Sequence, residues 1–541
     1  MKKRSKIVLF VVTIVVLLLH LFKYNQVPAC INADEAAYGY NSFSILKTGK
    51  DEYDSSLPAR LKSFGDYKLP LYSYLDLPFV AFFGLNETST RLPAIIIGIL
   101  FPIILYFLTK KLFEREDISL VAALLASVSP WIQIMSRHAH ESLPATFFIT
   151  LSLTILLYLK EKFALKKIAL FFIFLVLSLF SYHFGRIFTI FIFIYFVYLI
   201  FFDKRNALFN LEKKIKSILI LLFLAIGTIF IVTELKYSPD RISNLIFYNR
   251  AGFRLSINQL RGEHQIRTIH NSLTHALNEQ SKEYLRYLSP EFLVIKGDEN
   301  PRFGFPGISP ITIAEYLLVL AGFYYLFKKQ ENNRYLLLFL LLISPISASL
   351  SWQSYSINRS FYLIVPILVI SSYGFVELYK SLKKERHLWP SWLLVGAYIF
   401  TLYMTWDFYF YHYPKRATVI TAWQCGYKEL AGYIRENYNK FDKFYVTTRH
   451  GQPYIFLLYY LAYSPEKYQK QARLSPPDDY GFGQVEKFDK FDFRFNLGEE
   501  KEKKVVYIGY PEHFVSRKDV EPGRLKKIKV GTEEIFWIYE N

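Results

Sequence analysis

Lys110-Lys111-Leu112-Phe113-Glu114-Arg115-Glu116-Asp117, then ISLVAALLASVSPWIQIM over 118–135, then Ser136-Arg137-His138-Ala139-His140-Glu141 is the stretch that decides the fold. Eighteen uncharged residues lie between a charge cluster and a dense polar turn. In a soluble fold, apolar residues recur at helical or strand spacing, so that one face stays wet. Here no polar face exists. A run of this length suits a helix crossing a hydrocarbon core about 30 Å thick.

Working outward, the pattern recurs. Further uncharged or nearly uncharged blocks are Ile7–Phe22, Leu92–Leu108, Leu143–Leu159, Ile168–Tyr182, Ile187–Phe202, Ser217–Val232, Ile311–Phe327, Tyr335–Leu350, Phe361–Val376 and Leu393–Thr405. The expectation is about eleven spans, the short ones extended by interfacial Tyr, Trp and snorkelling Lys. Composition agrees: 541 residues are 52% hydrophobic, 18% aromatic and 21% charged. With 50 Phe and 42 Tyr, disorder is excluded. Two cysteines exclude a disulfide-stapled scaffold, and no His/Cys spacing suggests zinc. Cys30 and Cys425 are left to pair, to stay free thiols or to be buried.

Six segments carry 23 of the 65 lysines and arginines: Met1–Lys6, Lys110–Glu116, Lys160–Lys167, Asp203–Lys216, Lys328–Arg334 and Lys380–Arg386. If each block crosses once, all six fall on one side. That positive-inside pattern predicts a cytoplasmic N-terminus and an extracytoplasmic tail, in a plasma (inner) membrane. The net charge of +19 is then a topology signal, and nucleic acid is excluded as a partner. Leu69–Gly84 contains Asp76, Pro70 and Pro78, and reads as an interfacial or re-entrant helix, since a crossing would flip every later loop. Met1–Lys6, the apolar run and Ala29-Cys30-Ile31-Asn32-Ala33 resemble a signal peptide, and Val27-Pro28-Ala29-Cys30 faintly a lipoprotein box. With ten more spans following, a retained signal anchor is expected.

The fold class expected is therefore mostly α: a polytopic membrane bundle with interfacial helices in its first outer loop and a small extracytoplasmic α/β domain. Residues 1–410 form the membrane module, including a first outer loop over 23–91 and a large one over 233–310. The tail over 411–541 predicts helices at Tyr427–Asn437 and Tyr454–Tyr463 and strands at Lys443–Thr447, Lys503–Ile508 and Glu534–Tyr539.

Ionisable residues at membrane depth cost about 2.5–3.5 kcal/mol each at a helix centre, which marks them as functional candidates. This chain gathers them at the outer ends of its spans. Asp34-Glu35 opens a helix predicted over Asp34–Leu46; one acid could act as a base, or both could simply favour a helix N-terminus. Phe64-Gly65-Asp66-Tyr67-Lys68-Leu69-Pro70 presents a cation suited to a lipid phosphate, or an ordinary snorkelling lysine. The turn Ser136–Glu141 holds Arg137, His138, His140 and Glu141, more polar side chains than solvation needs. Ser181-Tyr182-His183-Phe184-Gly185-Arg186 and Ser356-Ile357-Asn358-Arg359 add Arg186 and Arg359, a side-chain type able to grip phosphate bidentately. His138, His140, His183 and Glu141 make a divalent metal conceivable, but no spacing fixes its geometry. Trp352 and the outer tyrosines read as an interface belt or a sugar-stacking surface.

Together these motifs resemble a known family. Asp34-Glu35-Ala36-Ala37-Tyr38-Gly39-Tyr40 after the first span, Lys68-Leu69-Pro70-Leu71, and Arg91-Leu92-Pro93 opening the second span are similar to membrane glycosyltransferases of the GT-C fold. The resemblance is to family 39, the protein O-mannosyltransferase and lipid A aminoarabinose transferase group. Arg137-His138, Ser181-Tyr182-His183 and the large outer loop fit the same pattern. The resemblance implies an inverting transfer from a polyprenyl-phosphate sugar to a hydroxyl of a glycan, lipid or protein at the outer face. It implies Asp34 and Glu35 as the catalytic acids, Asp34 as the base, and Lys68 on the lipid phosphate. Tyr38, Asp66, Arg137, His138, Glu141, His183, Arg186 and Arg359 complete the expected binding set. The motif here is Lys-Leu-Pro where the family has Lys-Pro-Pro. The competing class, a transporter or flippase of lipid-linked sugars, would be expected to show inverted halves and charges near the midplane. This sequence shows neither.

Overall fold

The computed structural model describes residues 3–64, 66–237, 251–264, 266, 268–304, 308–351, 354–476, 485–495, 504–515, 517 and 520–541. Trp352, residues 305–307, Lys503 and the side chain of Asp66 lie outside what it describes.

Every uncharged block falls on helix. Proline alone does not decide where these helices break: Pro78 lies inside the helix Leu71–Phe83 and Pro102 inside the helix Glu87–Phe113, both continuous. Residues 118–135, expected as one span, are two helices, Glu116–Val128 and Pro130–Ser136, meeting at 54°. Ser129 between them is extended, at φ −62° and ψ 122°, as the residue before proline prefers. Among the described residues, six helices are long and apolar enough to cross a membrane, or seven if this bent pair is one span. They are Glu87–Phe113, Ser142–Leu159, Phe184–Phe201, Lys213–Lys236, Phe361–Lys384 and Trp389–Lys415. The other blocks form shorter helices, such as Leu165–Leu179 and Ile313–Lys328, so the expected eleven correspond to helices of unequal length.

The chain divides into two compact units. The first comprises Met1–Phe22 and Ala94–Tyr409. Within it, the helices Ile313–Lys328 and Ile364–Lys384 approach until a Cβ on Gly322 would stand 2.3 Å from the Ile370 carbonyl oxygen. Small residues permit such backbone contact, the usual basis of packing where lipid tails remove the hydrophobic drive.

The second unit comprises Lys23–Pro93 and Phe410–Asn541. Its early part holds the helix Ala33–Thr48, the antiparallel pair β1 (Leu61–Ser63) and β2 (Asp66–Lys68), and the 13-residue helix Leu71–Phe83. Its later part is a mixed sheet, seven-stranded among the described residues. The strands are β3 (Lys443–Val446), β4 (Arg473–Leu474), β5 (Val485–Phe488), β6 (Phe491–Asp492), β7 (Val505–Gly509), β8 (Leu525–Val530) and β9 (Glu533–Glu540). Their order is β4-β5-β6-β3-β7-β9-β8, with β3 parallel to both β6 and β7. The three strands expected in the tail correspond to β3, β7 and β9. β8 escapes sequence reading because Lys526, Lys527 and Lys529 dominate it, and lysine-rich edges are how sheets avoid further pairing.

One core joins the two parts of this unit. Ile31, Ala36, Ala37 and Tyr40 are buried with Leu430, Ile434, Phe456 and Ile508. By packing, residues 23–93 belong with the tail, a grouping the expected boundary at 410/411 does not contain. Gly39 sits where a Cβ would come within 2.5 Å of Thr90 Oγ1 and 2.6 Å of the Tyr459 ring, so only glycine lets the helix Ala33–Thr48 lie this close. A disulfide joins Cys30 to Cys425 across 395 residues, which selects pairing from the alternatives the sequence left open.

Candidate active site

The site begins with a helix cap. Asn32 is extended, and its side-chain oxygen accepts hydrogen bonds from the backbone N–H groups of Asp34 (2.9 Å) and Glu35 (3.1 Å). Glu35 Oε2 accepts from the Asn32 backbone N–H at 3.2 Å, completing a reciprocal capping box. Gly49, at φ 72°, ends the same helix in the left-handed region.

Neighbouring residues on a helix point about 100° apart, and these two carboxylates accordingly have different surroundings. Glu35 is wholly buried, and Arg91 grips it with two hydrogen bonds of 2.9 Å while a third N–H group reaches the Cys30 carbonyl at 2.6 Å. Asp34 is 40% exposed and accepts a hydrogen bond from the Lys68 ammonium, itself only 13% exposed. Lys68 ends β2, paired in register with Leu61. Its ammonium lies 4.6 Å from the Phe64 ring centroid and 5.3 Å from that of Tyr38, so aromatic faces hold it from the sides. Asp34, Tyr38 and Lys68 are thus brought together.

Beside them stands a residue that sequence reasoning missed. Glu52 lies in Asp51-Glu52-Tyr53-Asp54, which reads as a solvated loop, yet it is 2% exposed and accepts a hydrogen bond from the Tyr454 hydroxyl at 3.2 Å. Burial, then the neighbouring Asp51, push its pKa up to about 8, against the opposing pull of the Tyr454 hydrogen bond and the Lys68 charge. Arg91 was also missed as a partner of Glu35. Neither has a local signal, because each partner is distant in sequence.

The remaining expected residues belong to the first unit. Arg137 is buried and donates to the carbonyls of Leu19 (2.6 Å) and His20 (3.0 Å) in the last turn of the helix Lys3–Leu21, and to that of Phe22 (2.9 Å) just past it. Such carbonyls lack intrahelical partners, and a guanidinium satisfies several at once. His138 hydrogen-bonds the Ile134 carbonyl at 2.9 Å, and its ring lies 5.3 Å from Phe303 and 5.9 Å from His140. His140 contacts Ser142 and lies 5.6 Å from the Tyr182 ring, which in turn neighbours His183 at the same distance. Glu141 is buried in the same turn.

Arg186 pairs with Glu234 at 2.8 Å. Arg359 lies in a loop pinned by Asp298, which accepts from the Ile357 N–H at 2.8 Å, and by Tyr287, which accepts from the Ser356 N–H at 3.0 Å. Burial raises the Asp298 pKa to about 7, opposed by its backbone hydrogen bonds and by Arg359. Among the described residues, no group of three or more His, Cys, Asp or Glu side chains is arranged to hold a metal ion.

Three kinds of likeness bear on this arrangement. A family model described as dolichyl-phosphate-mannose-protein mannosyltransferase matches residues 68–232. An uncharacterized protein of Aquifex aeolicus (strain VF5) is 30% identical over 153 residues, 26% of this chain and 29% of that protein, so the match spans less than a third of the relative. Among solved structures, the Archaeoglobus fulgidus oligosaccharyltransferase tethered with an acceptor peptide containing the NVT sequon superposes with a TM-score of 0.52 at 14% identity, covering 85% of this chain and 63% of that one. ArnT from Cupriavidus metallidurans bound to undecaprenyl phosphate superposes with a TM-score of 0.51 at 10% identity, covering 99% of this chain and 98% of that one. At such identities the likeness shows the fold. The chain has the GT-C fold of membrane glycosyltransferases with a C-terminal sheet domain, and it is an integral membrane protein.

Proposed function

We propose that this GT-C-fold chain is a glycosyltransferase that moves a sugar, with inversion, from a polyprenyl-phosphate donor to an acceptor hydroxyl at the extracytoplasmic face. The observation that carries this reading is the Asp34–Lys68 pair: a half-exposed carboxylate hydrogen-bonded to a shielded ammonium in a cradle of aromatic rings. The donor's phosphodiester offers Lys68 a singly charged partner in place of Asp34, and a second charge develops on it only as the bond to the sugar breaks. Released, the Asp34 carboxylate accepts the proton of the acceptor hydroxyl as that oxygen bonds to the anomeric carbon. The bond from that carbon to the phosphate oxygen breaks on the opposite side, and polyprenyl phosphate leaves with its charge met by Lys68. Glu35, locked to Arg91, sets the start of the helix that presents Asp34.

Sidedness has two supports. Lysines and arginines concentrate in six segments on one predicted side. The Cys30–Cys425 disulfide lies in the same unit as Asp34 and Lys68, and such bridges persist in oxidising compartments. An extracytoplasmic acceptor meets no pool of nucleotide sugars, so the donor must arrive on a lipid.

The test is incubation of the purified chain with a panel of radiolabelled polyprenyl-phosphate sugars, following release of label. Wild type should release label from at least one donor. Asp34→Asn should lose roughly 10²–10⁴-fold in turnover, the usual contribution of a positioned base, with unaltered insertion and melting. Full transfer by Asp34→Asn would remove Asp34 as the base.

A further inference from the structure

We infer that Glu52 is a positioning residue for phosphate capture: walled in among tyrosines beside Lys68, it sets how much of the lysine's charge an incoming phosphate can claim. The inference rests on the reading of Lys68 as the phosphate-binding cation.

The geometry is specific. The Glu52 backbone N–H donates to Asn41 Oδ1 at 3.0 Å, and Asn41 is itself held by the Ala37 carbonyl at 2.9 Å, which fixes the loop against the helix that carries Asp34. One carboxyl oxygen accepts from Tyr454; the other has no hydrogen-bond partner among the described residues. The Tyr454 hydroxyl also lies 3.4 Å from that of Tyr53. The Tyr454 ring meets the Phe64 ring edge-on at 6.1 Å, and Phe64 is the ring over which the Lys68 ammonium lies. A buried carboxyl is therefore linked to the Lys68 cradle through two rings.

The charges around Glu52 can be enumerated. Asp51 is its chain neighbour, and the Asp51 carboxylate accepts from the backbone N–H groups of Tyr53 and Ser55, each at 2.9 Å. Tyr53 comes from the same loop, Tyr40 from the helix Ala33–Thr48, Tyr454 from Pro453–Tyr460, Tyr468 from Pro465–Gln471, and Lys68 from β2. Lys68 is the cation of this set. While Glu52 keeps its proton, the carboxylate paired with Lys68 among the described residues is that of Asp34, a partner that phosphate can displace. Once Glu52 ionises, a second anion acts on Lys68 and the pull on phosphate weakens. With the carboxyl titrating near pH 8, that change falls between pH 7 and 9.

Two measurements test this. First, binding of undecaprenyl phosphate to the full-length purified protein is titrated at pH 7 and pH 9 for wild type and Glu52→Gln. The lipid's own ionisation is common to both. Wild type should lose about three- to tenfold more affinity between the two pH values than Glu52→Gln does, the scale of one partly screened charge. Identical losses would overturn the inference.

Second, unfolding is followed against pH. An unfolded Glu ionises near pH 4.3 while folded Glu52 holds its proton to about 8. Between those values the folded state binds the extra proton, so wild-type stability should fall relative to Glu52→Gln as pH rises, and level off above 8. Parallel stability curves would mean an ordinary carboxylate and would also overturn the inference. The stability arm needs no lipid, so failure of wild type to bind any polyprenyl phosphate would strike the functional reading while this arm still reports the state of Glu52.

Discussion

The head of the helix Ala33–Thr48 and the turn Ser136–Glu141 look alike in sequence: both are short, densely polar and placed beyond the end of an apolar block. In three dimensions they differ. At the first, two acids separate into a locked pair, Glu35 with Arg91, and an open one, Asp34 with Lys68. At the second, Arg137 is committed to three carbonyls at the end of the first helix, and the two histidines pack among rings. Polar density marks where a chain must satisfy buried groups; a part-exposed carboxylate paired with an ammonium marks where chemistry is possible. Asp34 meets that second criterion and Arg137 does not.

The comparison can be broken in order of expected effect. Glu35→Ala leaves Arg91 as a buried, unpaired guanidinium and should destabilise the protein by about 3–5 kcal/mol, read as a lowered melting temperature. If Glu35→Ala instead melts like wild type but loses transfer, the locked and open roles are reversed. Arg137→Ala strands the carbonyls of Leu19, His20 and Phe22 and should cost about 2–3 kcal/mol of stability. Arg137→Lys should recover little of this, because one ammonium cannot reproduce a planar fork. A donor-affinity defect in Arg137→Lys at unchanged stability would return Arg137 to the phosphate site. Lys68→Ala sharpens the contrast from the other side: donor KM should rise about tenfold, roughly 1.4 kcal/mol, with acceptor KM and melting little changed. An unchanged donor KM would take Lys68 out of the site.

Much of the architecture was legible locally. Uncharged runs mark helices because hydropathy is summed residue by residue, and the helix expected at Tyr427–Asn437 occupies those residues. The break at Ser129-Pro130 has no decisive local mark, because Pro78 and Pro102 lie inside continuous helices. Asp34, Tyr38 and Lys68 were found as candidates because a carboxylate, an aromatic ring and an ammonium stand in recognisable motifs. Glu52 was not, because its own neighbours are charged and nothing nearby indicates that Tyr454, about 400 positions away, closes over it.

By itself the sequence determined where apolar helix forms, where cations concentrate, and that a helix opens on two acids: each is a matter of short-range sterics, hydropathy and charge. Only the tertiary structure decided that Arg91 takes Glu35, that Cys30 takes Cys425, that Arg137 closes a helix end, and that residues 23–93 share a core with the tail. Those outcomes are choices among distant partners, made by packing and by the cost of leaving a buried polar group unmatched, and no local pattern encodes which partner wins.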